Sequence, residues 1–365
     1  MNKLVTGVKQ PPHPMLGLNF WQAAPKVLLH EHLDGGLRPA TLLALCQAGN
    51  IPLPVDTAAA LALWLQGNAN SGSLERYVAA FAPIVAAMAT EAACEQVAFE
   101  AAEDARLDGC VLAEFRMAPL LLEPHGMAPE AAVEAMVRGL QRSALPAALI
   151  VCAMRTDSAA QVERAAHLAV RYAGQGVVGF DLAGAEKGFP ATRHRRAIDI
   201  ARSAGLGITL HAGEADGGHR VLEAIELGAT RIGHGVHIAL AAPGESPAHV
   251  AQRMAEVASM RVNGRAVHFE VCPTSNTHTG VCAQIHQHPL PAMLAAGLEV
   301  SVHTDNRLIS GVTHSGELHL AHSVLGLDLQ DLVRSARCAA AASFLADADK
   351  AAALEKINTW ALGLN

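Results

Sequence analysis

Short runs of apolar, β-branched residues recur along the chain, and each is followed by a longer stretch with apolar positions at helical spacing. The runs are Lys26–His30, Cys110–Arg116, Ala147–Arg155, Val177–Leu182, Gly207–His211, Arg231–His237, Val267–Cys272 and Leu298–Thr304. Strands alternating with helical segments imply βαβ units and a parallel sheet. Eight such units in one chain predict a closed (β/α)8 barrel, an α/β fold, with an open doubly wound sheet as the alternative. Most runs lie about 25 to 40 residues apart, but some 80 residues separate His30 from Cys110. Within that interval Thr41–Cys46, Thr57–Leu65 and Leu74–Met88 predict helices, with Ser71-Gly72-Ser73 as a cap before the last. Leu74, Tyr77, Val78, Phe81 and Ile84 share one face of it, which either packs on the barrel's outer ring or forms a lid over the C-terminal end of the strands. No sequence repeat, low-complexity tract or long linker divides the chain. It reads as one barrel domain over residues 1–365, with 40–108 as a helical lid or insertion and an Ala-rich helical tail from Leu332 to Asn365.

Composition permits such a core and narrows the class. Hydrophobic residues are 51% of the 365 and charged residues 17%, which excludes wholesale disorder. Glycine (31) and proline (18) are near average usage, so the chain is neither collagen-like nor linker-like. The 34 acidic residues outnumber the 27 basic ones, for a net charge of −7. That disfavours a nucleic-acid binder, which carries a basic face. Seven widely spaced cysteines include no C-x-x-C pair, so neither a zinc ribbon nor a thioredoxin-like motif is present; they read as buried free thiols in a reducing compartment. The longest apolar run, Ala144–Met154, has 11 residues and contains Pro146, whereas a membrane span needs about 20. The segment Met1–Pro12 lacks the apolar stretch of a signal peptide. The expectation is a soluble, cytoplasmic protein with no membrane partner. The 19 histidines are unusual, and histidine is the commonest metal ligand.

The groups able to do chemistry fall at the ends of the apolar runs. His30-Glu31-His32 closes the first, and residues i and i+2 of a strand project to the same side, which is metal-ligand geometry. His211 ends the fifth run and Glu214 follows in the loop, a histidine ligand with a carboxylic acid three residues away. His234 stands between Gly233 and Gly235, which would leave room for a ligand to approach. Asp305 ends the last run, where a carboxylate can ligate a metal or hold a metal-bound water. Candidates on strands one, five, six and eight converge only if the barrel closes, at the C-terminal rim where barrel enzymes keep their active sites. Three histidines and an aspartate suit zinc, with a position left for water.

Two other motifs fail on context. Gly174-Gln175-Gly176-Val177-Val178-Gly179 matches G-x-G-x-x-G but precedes a strand, so it reads as a turn. His268-Phe269-Glu270 matches the H-x-E of cytidine-type deaminases, but no P-C-x-x-C follows.

With these residues in hand, the chain resembles the adenosine deaminases, of the amidohydrolase superfamily of metal-dependent barrels. The likeness runs from about Lys26 to about Ile309 and continues weakly in the C-terminal helices. Pro25-Lys26-Val27-Leu28-Leu29-His30-Glu31-His32-Leu33-Asp34-Gly35-Gly36 is similar to the family's first-strand motif. Asp181-Leu182-Ala183-Gly184, His211-Ala212-Gly213-Glu214, Gly233-His234-Gly235 and Thr304-Asp305 match four more in the family's order. The resemblance implies one Zn²⁺ per chain on His30, His32, His211 and Asp305. Glu214 would donate a proton to purine N1, and His234 would orient and help deprotonate the zinc water. Gly184 would offer its N–H to purine N3, and Asp34 would contact the ribose 5′-hydroxyl. The reaction implied is hydrolytic deamination of adenosine, with 2′-deoxyadenosine, to inosine and ammonia. Zinc would bring the pKa of its water down to roughly 7 for attack on C6. Glu214 must then be protonated, which burial would favour and the cation oppose.

Two positions depart from the family's pattern. Asn306, followed by Arg307, replaces the second of two aspartates that the family often carries; its amide can still donate to purine N7. His303 stands where asparagine is frequent and reads either as a polar filler of a barrel layer or as a group touching the site from below. The partner implied is a small purine nucleoside, with no nucleic acid and an oligomeric state the sequence does not encode. Relatives acting on adenine tend to carry Glu in place of Asp34. N6-methyl-AMP and aminodeoxyfutalosine are alternatives, although no phosphate cradle is visible. Binuclear amidohydrolases commonly end their fourth strand with a carboxylated lysine; here Phe180-Asp181-Leu182-Ala183-Gly184 is followed by no lysine before Lys187, which favours one metal. A zinc-stabilised binding protein without turnover is the non-enzymatic reading.

Overall fold

The computed structural model describes residues 16–70 and 81–364. Eight parallel strands lie in one sheet: β1 (Lys26–Leu28), β2 (Cys110–Met117), β3 (Ala147–Met154), β4 (Val177–Ala183), β5 (Gly207–Ala212), β6 (Arg231–His234), β9 (His268–Val271) and β10 (Glu299–Val302). Their order is β1-β2-β3-β4-β5-β6-β9-β10. Each falls on one of the eight apolar runs. The sheet curls until its two edges meet: His32 N donates to Asp305 O at 2.8 Å and Asp305 N to His30 O at 2.9 Å. That contact selects the (β/α)8 barrel over an open doubly wound sheet. Two further strands, β7 (Arg261–Val262) and β8 (Arg265–Ala266), form a separate hairpin. Asn263 and Gly264 both have positive φ at its turn (52° and 77°), as a two-residue type I′ turn requires.

The barrel interior explains why the strands are not uniformly apolar. In β2, Ala113, Phe115 and Met117 join the main apolar core, while Glu114 and Arg116 alternate with them on the inner face. Arg116 pairs with Asp181 (2.8 Å) and Glu270 (2.7 Å), and Arg231 with Glu114 and Glu270, all of them fully buried. Three carboxylates against two guanidiniums make a connected buried network, in which removing one partner would cost about 3–5 kcal/mol.

The C-terminal helices Leu329–Ala342 and Asp347–Leu362 close the barrel's N-terminal mouth against β10, β1 and β2. In the turn between them, Ser343 Oγ and Phe344 N both donate to Glu114 Oε1 at 2.6 Å. The Phe344 ring stacks on Arg231 at 3.9 Å. Only glycine fits at position 207, where a Cβ would lie 2.3 Å from that ring.

Between β1 and β2 run the helices Pro39–Ala48, Ala58–Ala69, Ala82–Met88 and Glu91–Leu107. The first contains the predicted Thr41–Cys46, and the second covers the predicted Thr57–Leu65 from Ala58 on, with Thr57 as its N-cap. The predicted Leu74–Met88 helix is described from Ala82; its Ser71-Gly72-Ser73 cap and Leu74, Tyr77 and Val78 lie outside the described residues. Glu91–Leu107 belongs to the outer ring, against Pro129–Gln141, whereas Ala58–Ala69 packs on the short helix Arg307–Ser310 that follows β10. All seven cysteines are free and six are buried. No described helix is long and apolar enough to cross a membrane.

Candidate active site

At the C-terminal ends of β1, β5, β6 and β10, one ligand-type atom each of His30, His211, His234 and Asp305 lies within 4.8 Å of the others. His32 adjoins them, its Nε2 3.2 Å from His211 Nε2 and 3.5 Å from Asp305 Oδ1. The H-x-H spacing works as the strand period requires: the rings of His30 and His32 are 5.5 Å apart, while Glu31 between them turns to Thr304 (2.9 Å) and Arg307. His234 (φ 62°) and Asp305 (φ 60°) are in the left-handed region; the other such non-glycine residues among those described are Asn50 and Asn263. Sparsely populated backbone of this kind costs about 1–3 kcal/mol each and persists only where the surroundings over-determine it. Here the edge-closing bonds to His30 and His32 hold Asp305, and Gly235 N donating to Ala212 O (3.0 Å) holds the residue after His234. The glycines flanking His234 make room for protein, not for a ligand. A Cβ on Gly233 would meet His30 Cε1 at 3.0 Å, and one on Gly235 would lie 2.3 Å from the Phe269 ring.

Hydrogen bonds orient the imidazoles. His30 Nδ1 donates to Glu270 Oε2 (2.9 Å) and His211 Nδ1 to Asp181 Oδ1 (3.1 Å). A carboxylate can only accept, so in the neutral form each ring carries its proton on Nδ1 and turns a bare Nε2 to the centre. Burial pushes the pKa values of His32, His211 and His234 down, so these rings are neutral. His30 Nε2 is buried with no hydrogen-bond partner. Ser275 Oγ donates to Asp305 Oδ2 (2.5 Å), leaving Oδ1 toward His30 (3.4 Å). A buried, unpartnered ring nitrogen beside a carboxylate and two further imidazoles is what a divalent cation satisfies, so the residues present fit a metal ion.

Glu214 is buried beside this cluster, its Oε2 3.6 Å from His234 Nε2. Burial pushes its carboxyl well above the usual range, and the charges of Asp305 and Glu186 act in the same direction. Both effects favour the protonated form of the carboxyl. Its loop is held by Glu186, whose carboxylate accepts from the N–H groups of Gly213 (2.5 Å), Glu214 (3.1 Å), Ala215 (2.8 Å) and Asp216 (2.8 Å).

A cleft opens over these groups, lined also by Asp34, Phe81, Met154, Gly184 and Asn306. Asp34 Oδ1 and Asn306 Oδ1 are buried without a hydrogen-bond partner. Burial raises the Asp34 pKa to about 7. Arg307 turns away from the cleft to Glu31, Asp104 (3.2 Å) and Gly36 O (3.0 Å). His303 lies beneath the site: its Nδ1 accepts from Leu29 N (3.2 Å) and its Nε2 bonds Ser301 Oγ (2.5 Å), so it fills a barrel layer. The Gly174–Gly179 stretch is a turn entering β4, with Gly174 and Gly176 at positive φ, and Glu270 of the H-x-E match belongs to the barrel's ion network.

Sequence reasoning missed Glu186, Glu270, Ser275 and Asn276. Glu186 left one clue, lying two residues past the Asp181–Gly184 motif. Ser275 and Asn276 lie on the helix Pro273–His278 directly after β9, a strand end for which no chemistry was proposed.

Histidines, an aspartate and a buried carboxylic acid at the C-terminal mouth of this barrel define a metal-dependent enzyme of the amidohydrolase fold. The family model for adenosine deaminase matches residues 25–360, and the chain belongs to that family. The adenosine deaminase of Mycobacterium avium (strain 104) is 39% identical over 355 residues, covering 94% of this chain and 96% of that one. Among solved structures, an adenine deaminase from Arthrobacter aurescens has a TM-score of 0.82 at 27% identity, over 93% of this chain and 99% of that one. An amidohydrolase from Burkholderia ambifaria with bound Zn shares the fold, with a TM-score of 0.82 at 23% identity over 97% and 96% of the two chains. The chain is thus a hydrolase of a metal-dependent family.

The seat that Glu186 makes for the acid's loop can be tested. Glu186→Ala removes the acceptor of four N–H groups and is expected to lower kcat by about 10²-fold, the cost of roughly 1 Å of misplacement, while metal content stays at the parent level. Steady-state kinetics beside metal analysis checks this; unchanged kcat would show that the loop holds its place without Glu186.

Proposed function

We propose that the chain hydrolyses adenosine, and 2′-deoxyadenosine, at purine C6, releasing ammonia and the inosine product, with one Zn²⁺ per chain. The observation that carries this reading is Glu214, a buried carboxylic acid 3.6 Å from His234 that faces the cleft and whose pKa burial pushes up. His30, His32, His211 and Asp305 would hold the ion. When bound, it supplies a Lewis acid that brings the pKa of water toward roughly 7.

The remaining work belongs to the chain. The purine ring accepts an oxygen at C6 only as N1 gains a proton, and Glu214 carries that proton at its carboxyl. The C6–O bond forms as the water gives up a proton, the C6–N bond breaks, and the amino group leaves as ammonia with that proton added. His234 orients the attacking water. The Gly184 N–H would donate to N3 and the Asn306 amide to N7, fixing the ring in its plane. Asp34 would meet the ribose 5′-hydroxyl, which suits its buried, unpartnered oxygen; free adenine has no such group. Residues 40–108 would form a helical insertion within a single-domain enzyme, and the part that carries Phe81, which lines the cleft, would act as a lid. The setting is cytoplasmic and the partner a free nucleoside rather than a nucleic acid.

The 27% identical adenine deaminase supports one second reading, the free base. A side-by-side turnover assay of the zinc-loaded chain with adenosine, adenine, N6-methyl-AMP and aminodeoxyfutalosine separates them. Adenosine is expected to react fastest. A faster rival would keep the hydrolytic chemistry and overturn the roles given to Asp34 and Asn306.

A further inference from the structure

Beside the acid and the metal cluster lies a buried chain of polar groups whose proton positions are fixed by its far end. We propose that Asn276 and His288 are positioning residues that lock His234 in the Nε2–H tautomer, so that His234 donates a hydrogen bond into the site and acts as neither a metal ligand nor a base. The proposal rests on the site described above, but not on the identity of the substrate.

The backbone N–H of Leu290 donates to His288 Nδ1 at 3.1 Å. That nitrogen is an acceptor, so the proton of the neutral ring sits on Nε2. Burial holds the ring neutral, its pKa pushed down to about 3. His288 Nε2 lies 3.2 Å from Asn276 Oδ1 and donates to it. The other end of the amide, the NH₂ group, then faces His234 Nδ1 at 3.0 Å. An NH₂ group only donates, so His234 Nδ1 accepts and the single proton of its ring is on Nε2. Turning the amide over does not rescue the alternative. His288 would then have to accept at both nitrogens, which a neutral imidazole cannot do. Water does not compete, because Asn276, His288 and His234 are 0%, 4% and 1% exposed.

The contrast with the neighbouring rings gives the arrangement its meaning. His30 and His211 face carboxylates through Nδ1 and present bare Nε2 atoms; His234 faces an amide and presents an N–H. Ligation through Nε2 needs a lone pair there, so His234 drops out of the cluster of four and His32 completes the ligand set. A protonated Nε2 cannot take a proton either, which leaves the base role, expected at His234 from the resemblance, to the site's carboxylates.

The test uses the metal-free chain labelled with ¹⁵N-histidine and long-range ¹H–¹⁵N correlation, with the His234 signals identified by their loss in His234→Gln. The parent is expected to show a protonated Nε2 and a bare Nδ1. Asn276→Asp replaces the donor by an acceptor and is expected to move the proton to Nδ1. After metal loading, kcat of this variant should fall by about 10²–10⁴-fold with KM near the parent value. His288→Phe fills the same space but frees the amide to rotate, and is expected to give a mixture of both tautomers. It carries the test should Asn276→Asp fail to fold. A parent with its proton on Nδ1, or a tautomer unmoved in the folded variants, would overturn the proposal. A wrong substrate assignment would leave these spectra unchanged.

Discussion

Glu214→Gln is expected to fold, to bind metal as the parent does, and to lose several orders of magnitude in kcat. The amide matches the carboxyl in size and can still face purine N1, but it has no proton to give. General acid catalysis contributes about 10²–10⁴-fold on its own, and here ring activation depends on it. Folding should not suffer, because burial, with Asp305 and Glu186, already favours the uncharged carboxyl and holds its pKa well above 4.5. The sign of the pH dependence follows. A raised carboxyl pKa leaves the folded state holding a proton that the unfolded chain has lost. The metal-free parent therefore loses stability as pH rises above 4.5, toward the native value. Glu214→Gln lacks that loss and should melt higher than the metal-free parent at neutral pH. Near-parent kcat in this variant would refute the proton-donor role, and a lower melting point would refute the protonated state.

Removing the metal is expected to abolish turnover, and zinc to restore it at one ion per chain. His30 Nε2 is buried without a partner, and the Nδ1 atoms of His30 and His211 are braced by Glu270 and Asp181. Such bracing pre-aims the lone pairs, so an apo chain should keep the site in shape and rebind metal without refolding. An ion that binds only the folded chain adds about 4 kcal/mol of stability at a thousand times its Kd, which raises the melting temperature by several degrees. Metal analysis with thermal melting, before and after chelation, checks both statements. Two ions per chain would point to a binuclear hydrolase, and full activity after complete chelation would remove the metal from the reaction.

The fold was legible because the buried parallel strands are written as short, largely apolar runs broken by single polar residues, and eight of them stand at βα spacing. The β7–β8 hairpin went unnoticed because its strands are two residues long; the Asn263-Gly264 pair was its available signal. His30, His32, His211, His234 and Asp305 were legible because each sits at or just beyond the end of an apolar run, where a barrel presents its chemistry. Glu186, Asn276 and His288 were not, since they act through partners distant in sequence. Glu186 meets Gly213 27 residues on, and Asn276 meets His234 42 residues back. His303 shows the same limit from the other side. Its residue type allowed a role in the site, and only its bonds to Leu29 and Ser301 place it in the barrel layer.

The most direct test of the account is ammonia release from adenosine by the zinc-loaded chain, measured beside Glu214→Gln under the same conditions. The expectation is rapid release by the parent and a loss of several orders of magnitude in the variant. Equal release by both, or none from adenosine while adenine is turned over rapidly, would contradict it.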